Sequence, residues 1–132
     1  MIYIADCSIF QQLYTTTMAS IFIPSIQTNV EYSIGKNAKH NFEIIDSSDD
    51  NDIWFHVANE SSSHIIAHIP ADMKLNKKQL RQIITQGAVL CKSHSRYKSQ
   101  KNIEIIYTHI KNIEKLQTPG SVNTKNTKSV VI

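Results

Sequence analysis

Three of the chain's six histidines, its single tryptophan and an aspartate fall between Asp52 and His68, in the run D-I-W-F-H-V-A-N-E-S-S-S-H-I-I-A-H. Imidazole titrates near physiological pH, so histidines beside a carboxylate raise three chemistries: metal ligation, proton transfer and tautomer-fixed hydrogen bonding. Metal ligation lacks support. On a strand His64 and His68 stand about 13 Å apart, too far to share an ion. His56 and His64 across a hairpin would reach one, but no third ligand is evident. Catalysis needs a nucleophile, a base and an orienting group, and no such set stands out. Gly35-Lys36 lacks the further glycines of a phosphate loop and reads as a turn. A hydrolase using Asp52, His56 and His64 therefore ranks last. Asp52 is placed to pair with His56 or His64 and fix its tautomer. A structural polar network is the leading reading of these side chains, and direct contact with nucleic acid comes next. A lone tryptophan such as Trp54 more often fills a core than offers a stacking platform.

The elements that must position these residues read as a β-hairpin. Ile53–Val57 and His64–Ile69 are β-prone runs around the small, polar segment 58–63, with Asn59-Glu60 and the serines supplying the turn. Alternation puts Ile53, Phe55 and Val57 on one face and Trp54 and His56 on the other, while His64, Ile66 and His68 share a face. Before the hairpin, Ile21-Phe22-Ile23 is a strand stopped by Pro24. Val30 to Ile34 alternates, with Val30, Tyr32 and Ile34 inward. Gly35 ends that strand, and residues 35–41 turn into a short helix reaching about Ile45. After the hairpin, Asn76 with Gln79 forms a capping box for a helix from about Lys77 to Lys92. Leu80, Ile83, Ile84, Gly87, Ala88 and Cys91 face its core side, and Gly87 costs the helix about 1 kcal/mol, for which close packing against the sheet is a reason. A loop over 93–102, a strand over 103–108, a turn at Pro119-Gly120 and a last strand over 129–132 complete the order β-β-α-β-β-α-β-β. That is an α+β fold: an antiparallel-rich sheet with one long and one short helix packed on it. Residues 1–19 read as an N-terminal arm with possible strands at 2–4 and 9–14, and a translation start at Met18 would make residues 1–17 an appendage. Residues 20–132 form one domain.

The net charge is only +3, but it is segregated. No acidic residue stands between Asp72 and Glu104, an interval holding Lys74, Lys77, Lys78, Arg81, Lys92, Arg96, Lys98 and Lys101, eight of the chain's 14 basic residues. Such a field suits phosphates, with Trp54, Tyr97 and the histidines as stacking candidates for unpaired bases. The plainer alternative is a solvated helix face. Cys7 and Cys91 make neither a disulfide framework nor a zinc site, so a reducing, cytoplasmic setting is expected. There is no membrane-length apolar run and no basic-then-apolar leader.

Taken in order, several of these stretches resemble the NFACT RNA-binding domain family (NFACT-R, formerly DUF814). D-I-W-F-H carries Asp52, Trp54, Phe55 and His56. S-H-I-I carries Ser63 and His64. The strand before them ends G-K-N-A-x-x-N, with Gly35, Lys36, Asn37 and Asn41. A-V-L-C-K-S-H-S is similar to the family's A-x-L-A-x-x-S helix end, and I-E-I-I-Y-T-H-I-K-N-I-E-K to the strand after it. T-P-G-S-V, with Pro119 and Gly120, is similar to the family's closing turn and last strand. The resemblance spans about residues 20–132. Where many members carry Pro-Gly, this chain has Ser61-Ser62, as in the small eukaryotic branch of coiled-coil-domain-containing proteins. It stops at Ile132 without a coiled coil, and so reads as a free-standing module without the large N-terminal domain of the ribosome-quality-control members. The resemblance implies a non-enzymatic RNA-binding module without a cofactor, with tRNA or ribosome-associated RNA as partner. DNA and ribosome-associated proteins are further partner candidates. The alternative is a protein-interaction adaptor docking through the same sheet.

Overall fold

The computed structural model describes residues 17–132. Among these residues eight strands and two α-helices follow in order: β1 (Met18–Ile23), β2 (Thr28–Ile34), α1 (Ala38–Asp46), β3 (Ile53–Val57), β4 (Ile65–His68), α2 (Lys77–Ser93), β5 (Glu104–His109), β6 (Ile113–Lys115), β7 (Val122–Thr124) and β8 (Lys128–Val131). Six strands form one antiparallel sheet in the order β1-β2-β4-β3-β5-β8, and β6 pairs with β7 apart from it. The expected α+β class holds. β1 takes in Met18 and Ala19, which the composition assigned to the arm. The expected strands at 2–4 and 9–14, and Cys7, lie outside the described residues.

Both faces of the central strands are covered, which explains their nearly unbroken burial. Ile53, Phe55, Val57, Ile65 and Ala67 pack with Val30, Tyr32 and Ile34 against the apolar stripe of α2. Trp54 and Ile66 on the opposite face pack with Ile44 and Ile45 of α1 and with Ile113 and Val122 of the small hairpin. Alternation along β3 thus sorts residues between two layers, not between core and water.

Helix ends are set locally. The Asn37 side chain accepts from His40 N–H at 2.8 Å and starts α1. Asn76 and Gln79 close the expected capping box of α2, at 2.8 and 2.9 Å. Gly87 has the packing reason anticipated for it: a Cβ there would run into the ring of the fully buried Phe55. The sequence reading missed the β6–β7 hairpin. The T-P-G-S-V stretch enters β7, not the last strand, and β8 follows a further turn at Asn126, whose φ is 55°. Three-residue strands carry too little alternation to announce themselves.

Candidate nucleic-acid interface

Antiparallel register fixes where each polar residue of the hairpin lands. Ile53 pairs with Ala67 and Phe55 with Ile65, so the count places Asp52 opposite His68 and His56 opposite His64. The expectation that Asp52 pairs with His56 or His64 is therefore corrected. Asp52 Oδ2 accepts from His68 Nδ1 at 3.0 Å, and its carboxylate also takes the N–H groups of Asp49 and Ile69. Burial works to raise the Asp52 pKa, but these hydrogen bonds and the nearby His68 outweigh it and hold the carboxyl below its ordinary value.

His68 Nε2 lies 2.6 Å from Ser33 Oγ, so Ser33, His68 and Asp52 stand in the order nucleophile, base, orienter. This set does not make an acyl-transfer site. Ser33 is buried in mid-strand between β1 and β4. The Gly35 N–H to His64 carbonyl bond fixes the ladder alternation, which gives Ser33 N–H to Ile66. The Ser33 N–H is thus spent on Ile66 and the next N–H, of Ile34, on Thr17, so neither serves an oxyanion beside the hydroxyl.

His56 and His64 occupy the other end of the hairpin with Trp54. The indole N–H of Trp54 donates to His64 Nδ1 at 3.0 Å. An indole only donates, so His64 carries its proton on Nε2. Burial first, then the neighbouring His56, pushes the His64 pKa down to about 4, against the opposing Gly120 contact. With Nδ1 taken by the indole N–H and the proton on Nε2, His64 has no spare lone pair for a metal or a proton at neutral pH. Among the described residues no three His, Cys, Asp or Glu side chains gather to hold a metal ion. His56 stacks on Trp54 with centroids 5.4 Å apart and planes 11° apart, and meets the His64 ring edge-on at 5.1 Å. Burial lowers its pKa, partly offset by its bond to the Val57 carbonyl. Trp54 is only 2% exposed, so it supports the histidines and cannot stack on a base.

Above these rings lies a polar cleft of about 340 Å³ between the β2–α1 turn, the β3–β4 turn and the β6–β7 turn. Nine of the twelve residues carrying the family resemblance line it: Gly35, Lys36, Asn37, Asn41, His56, Ser63, His64, Pro119 and Gly120. Ala38, Ser61, Ser62 and Ser121 complete it. The other three do not line it: Trp54 lies beneath, Phe55 faces α2, and Asp52 is at the far end of the hairpin. Gly35 is required because a Cβ would strike the Asn41 amide, whose oxygen accepts from His64 N–H at 3.4 Å. Gly120 has φ +84° and sits against Ala38, so the β6–β7 turn rests on the first turn of α1. Asn37 caps one early N–H of α1, and Ala38, the first residue of the helix, lines the cleft.

The basic interval does not form one patch. Lys74, Lys77, Lys78 and Arg81 are exposed around the start of α2, where Gln79 and Gln82 bond the β1–β2 turn at Ser25. Lys78 and Lys92 are about 21 Å apart along the helix axis. Arg96, Lys98 and Lys101 are exposed on the loop after α2, at the cleft's end of the sheet. Tyr97 of that loop donates to Glu60 at 2.6 Å, one residue from the cleft's Ser61, and Arg96 lies 5.9 Å from the Tyr97 ring centroid. Lys92 is half-buried and donates to the Ile132 carbonyl at 3.1 Å. The sequence reading noted Ser61 and Ser62 only as a departure from the family's Pro-Gly, not as site residues. The hairpin's turn length and register count were the signals that place Ser61 and Ser62 at the cleft.

Among the described residues no helix is long and apolar enough to cross a membrane. No curated protein matches the sequence. A solved structure described as the C-terminal of the fibronectin/fibrinogen-binding protein from Streptococcus suis shares the fold, with a TM-score of 0.68 and 20% identity. The likeness covers 78% of this chain and 41% of that one, so the chain spans less than half the length of that relative. Residues 18–126 match the family described as NFACT protein RNA binding domain. That match takes in every wall of the cleft and most of the chain, and the chain belongs to the NFACT RNA-binding domain family.

Proposed function

We propose that the chain is a non-enzymatic module that holds single-stranded segments of tRNA or ribosome-associated RNA in the cleft, in the cytoplasm. The observation that carries this reading is the convergence of four separated stretches, 35–41, 56, 61–64 and 119–121, on one polar cleft. A strand's phosphates meet Lys36, the first turn of α1 and Lys39. The flanking strand runs toward Arg96 and Lys98. Lys74, Lys77, Lys78 and Arg81, at the far end of α2, are a secondary field that attracts RNA without gripping it.

Fluorescence anisotropy with tRNA, single-stranded RNA and duplex DNA at two salt concentrations tests the reading. Four phosphate contacts on a single strand give a slope of log K against log salt of about −3. Changing Arg96 and Lys98 to Glu lowers affinity strongly and flattens that slope by about 1.4, with the far-ultraviolet circular dichroism unchanged. Absence of binding to any nucleic acid at low salt, or unchanged binding in the double variant, overturns the reading and turns attention to an adaptor role.

A further inference from the structure

The acceptors of the cleft are unevenly spent. Asn37 and Asn41 give their amide oxygens to the N–H groups of His40 and His64. Ser62 is held between Val57 N–H and the Ser63 carbonyl. His64 spends Nδ1 on the Trp54 indole and carries its proton on Nε2. His56 is different. Its Nδ1 lies 2.7 Å from the Val57 carbonyl, which only accepts, so Nδ1 carries the proton, and Nε2 is an acceptor with no hydrogen-bond partner among the described residues, on a ring that lines the cleft. Stacking on Trp54 and edge contact with His64 keep the ring from turning over to exchange its nitrogens.

A nucleic-acid strand answers the donors of the cleft with its phosphates. Its sugar-phosphate backbone has one internal group able to donate to Nε2, the ribose 2′-hydroxyl, and DNA lacks it. We propose that His56 Nε2 accepts a hydrogen bond from the 2′-hydroxyl of one nucleotide held in the cleft, and that this contact makes the cleft select RNA over DNA. The proposal rests on the RNA-binding reading above and assigns its sugar-recognising residue.

The test compares one short single-stranded sequence as RNA, as 2′-deoxy and as 2′-fluoro strands by anisotropy with the full chain. The 2′-fluoro sugar cannot donate. One neutral hydrogen bond predicts that RNA binds about two- to tenfold more tightly than either analogue. In His56→Phe, which keeps a stacked ring without the acceptor, the RNA preference is lost and the three strands bind alike. Equal binding of the three strands by the wild type overturns the His56 assignment and leaves RNA binding standing. Retention of the RNA preference in a folded His56→Phe also overturns it. If that variant does not fold, the three-strand comparison with the wild type decides. Failure of every strand to bind overturns both readings. A ribonucleoside 5′-monophosphate added as competitor separates a strand from a free nucleotide. Because the strand also runs along Arg96 and Lys98, an equal concentration of mononucleotide leaves it bound. Displacement assigns the cleft to a free nucleotide and overturns the strand.

Discussion

Acidification should destabilise this domain through a histidine that does no proton chemistry. His64 is buried and neutral, with a pKa near 4 against an ordinary value of 6.5. Between those values the unfolded chain binds a proton that the native chain refuses, so stability falls as pH drops through that window. At about 1.4 kcal/mol for each unit, His64 alone removes about 3 kcal/mol over the window. A domain of this size has about 5–15 kcal/mol in total. His56, whose pKa burial also lowers, acts in the same direction. Asp52 does not blur the result. Its depressed pKa gives stability that is present above its ordinary value of 3.8 and is lost only below it, as pH falls through the folded value. The assay is urea unfolding followed by circular dichroism at about pH 7.5 and about pH 4.5, where the midpoint should fall by about 1–3 M. His64→Gln, which keeps an acceptor and a donor without a titrating group, should be less stable at neutral pH and show a shallower pH dependence. A midpoint that stays level on acidification, or an equal slope in His64→Gln, would refute the burial of a neutral imidazole.

Other substitutions probe the supports of the cleft. Gly87→Ala gains up to about 1 kcal/mol of helix propensity but forces a methyl against the Phe55 ring, for which overpacking costs about 1–3 kcal/mol. A net loss of stability in thermal unfolding is expected, and a stabilised variant would show that the ring yields. Trp54→Phe removes the donor to buried His64 Nδ1 and leaves a void, a loss of about 2–3 kcal/mol in urea titration. Stability equal to the wild type would show that the indole N–H has no partner there. Lys74→Glu with Lys78→Glu should weaken RNA binding far less than Arg96→Glu with Lys98→Glu at matched salt, and the reverse order would move the interface to the start of α2.

The large elements were legible because each carries its own local signal. The V-E-Y-S-I alternation, the Asn76–Gln79 box and the apolar stripe of α2 all specify structure without knowledge of the rest. The motif residues were also legible, through family resemblance. Their convergence was not, because it depends on long-range contacts. Gly120 reaches Ala38 only because β6 and β7 pair, and neither of those strands is long enough to show a period. The basic interval misled for a related reason. Lysines near in sequence ride a 17-residue helix that carries them to opposite ends of the sheet. The Asp52–His68 pair could have been counted from the hairpin register, but the choice between His56, His64 and His68 as partner turned on a turn length that composition does not state.

The most direct measurement is the amide chemical-shift map of the isotope-labelled chain during titration with a short single-stranded RNA. The account predicts shifts at residues 35–41, 56, 61–64 and 119–121, continuing to 96–98, with little change at 74–81. Shifts confined to 74–81, with the cleft silent, would contradict it.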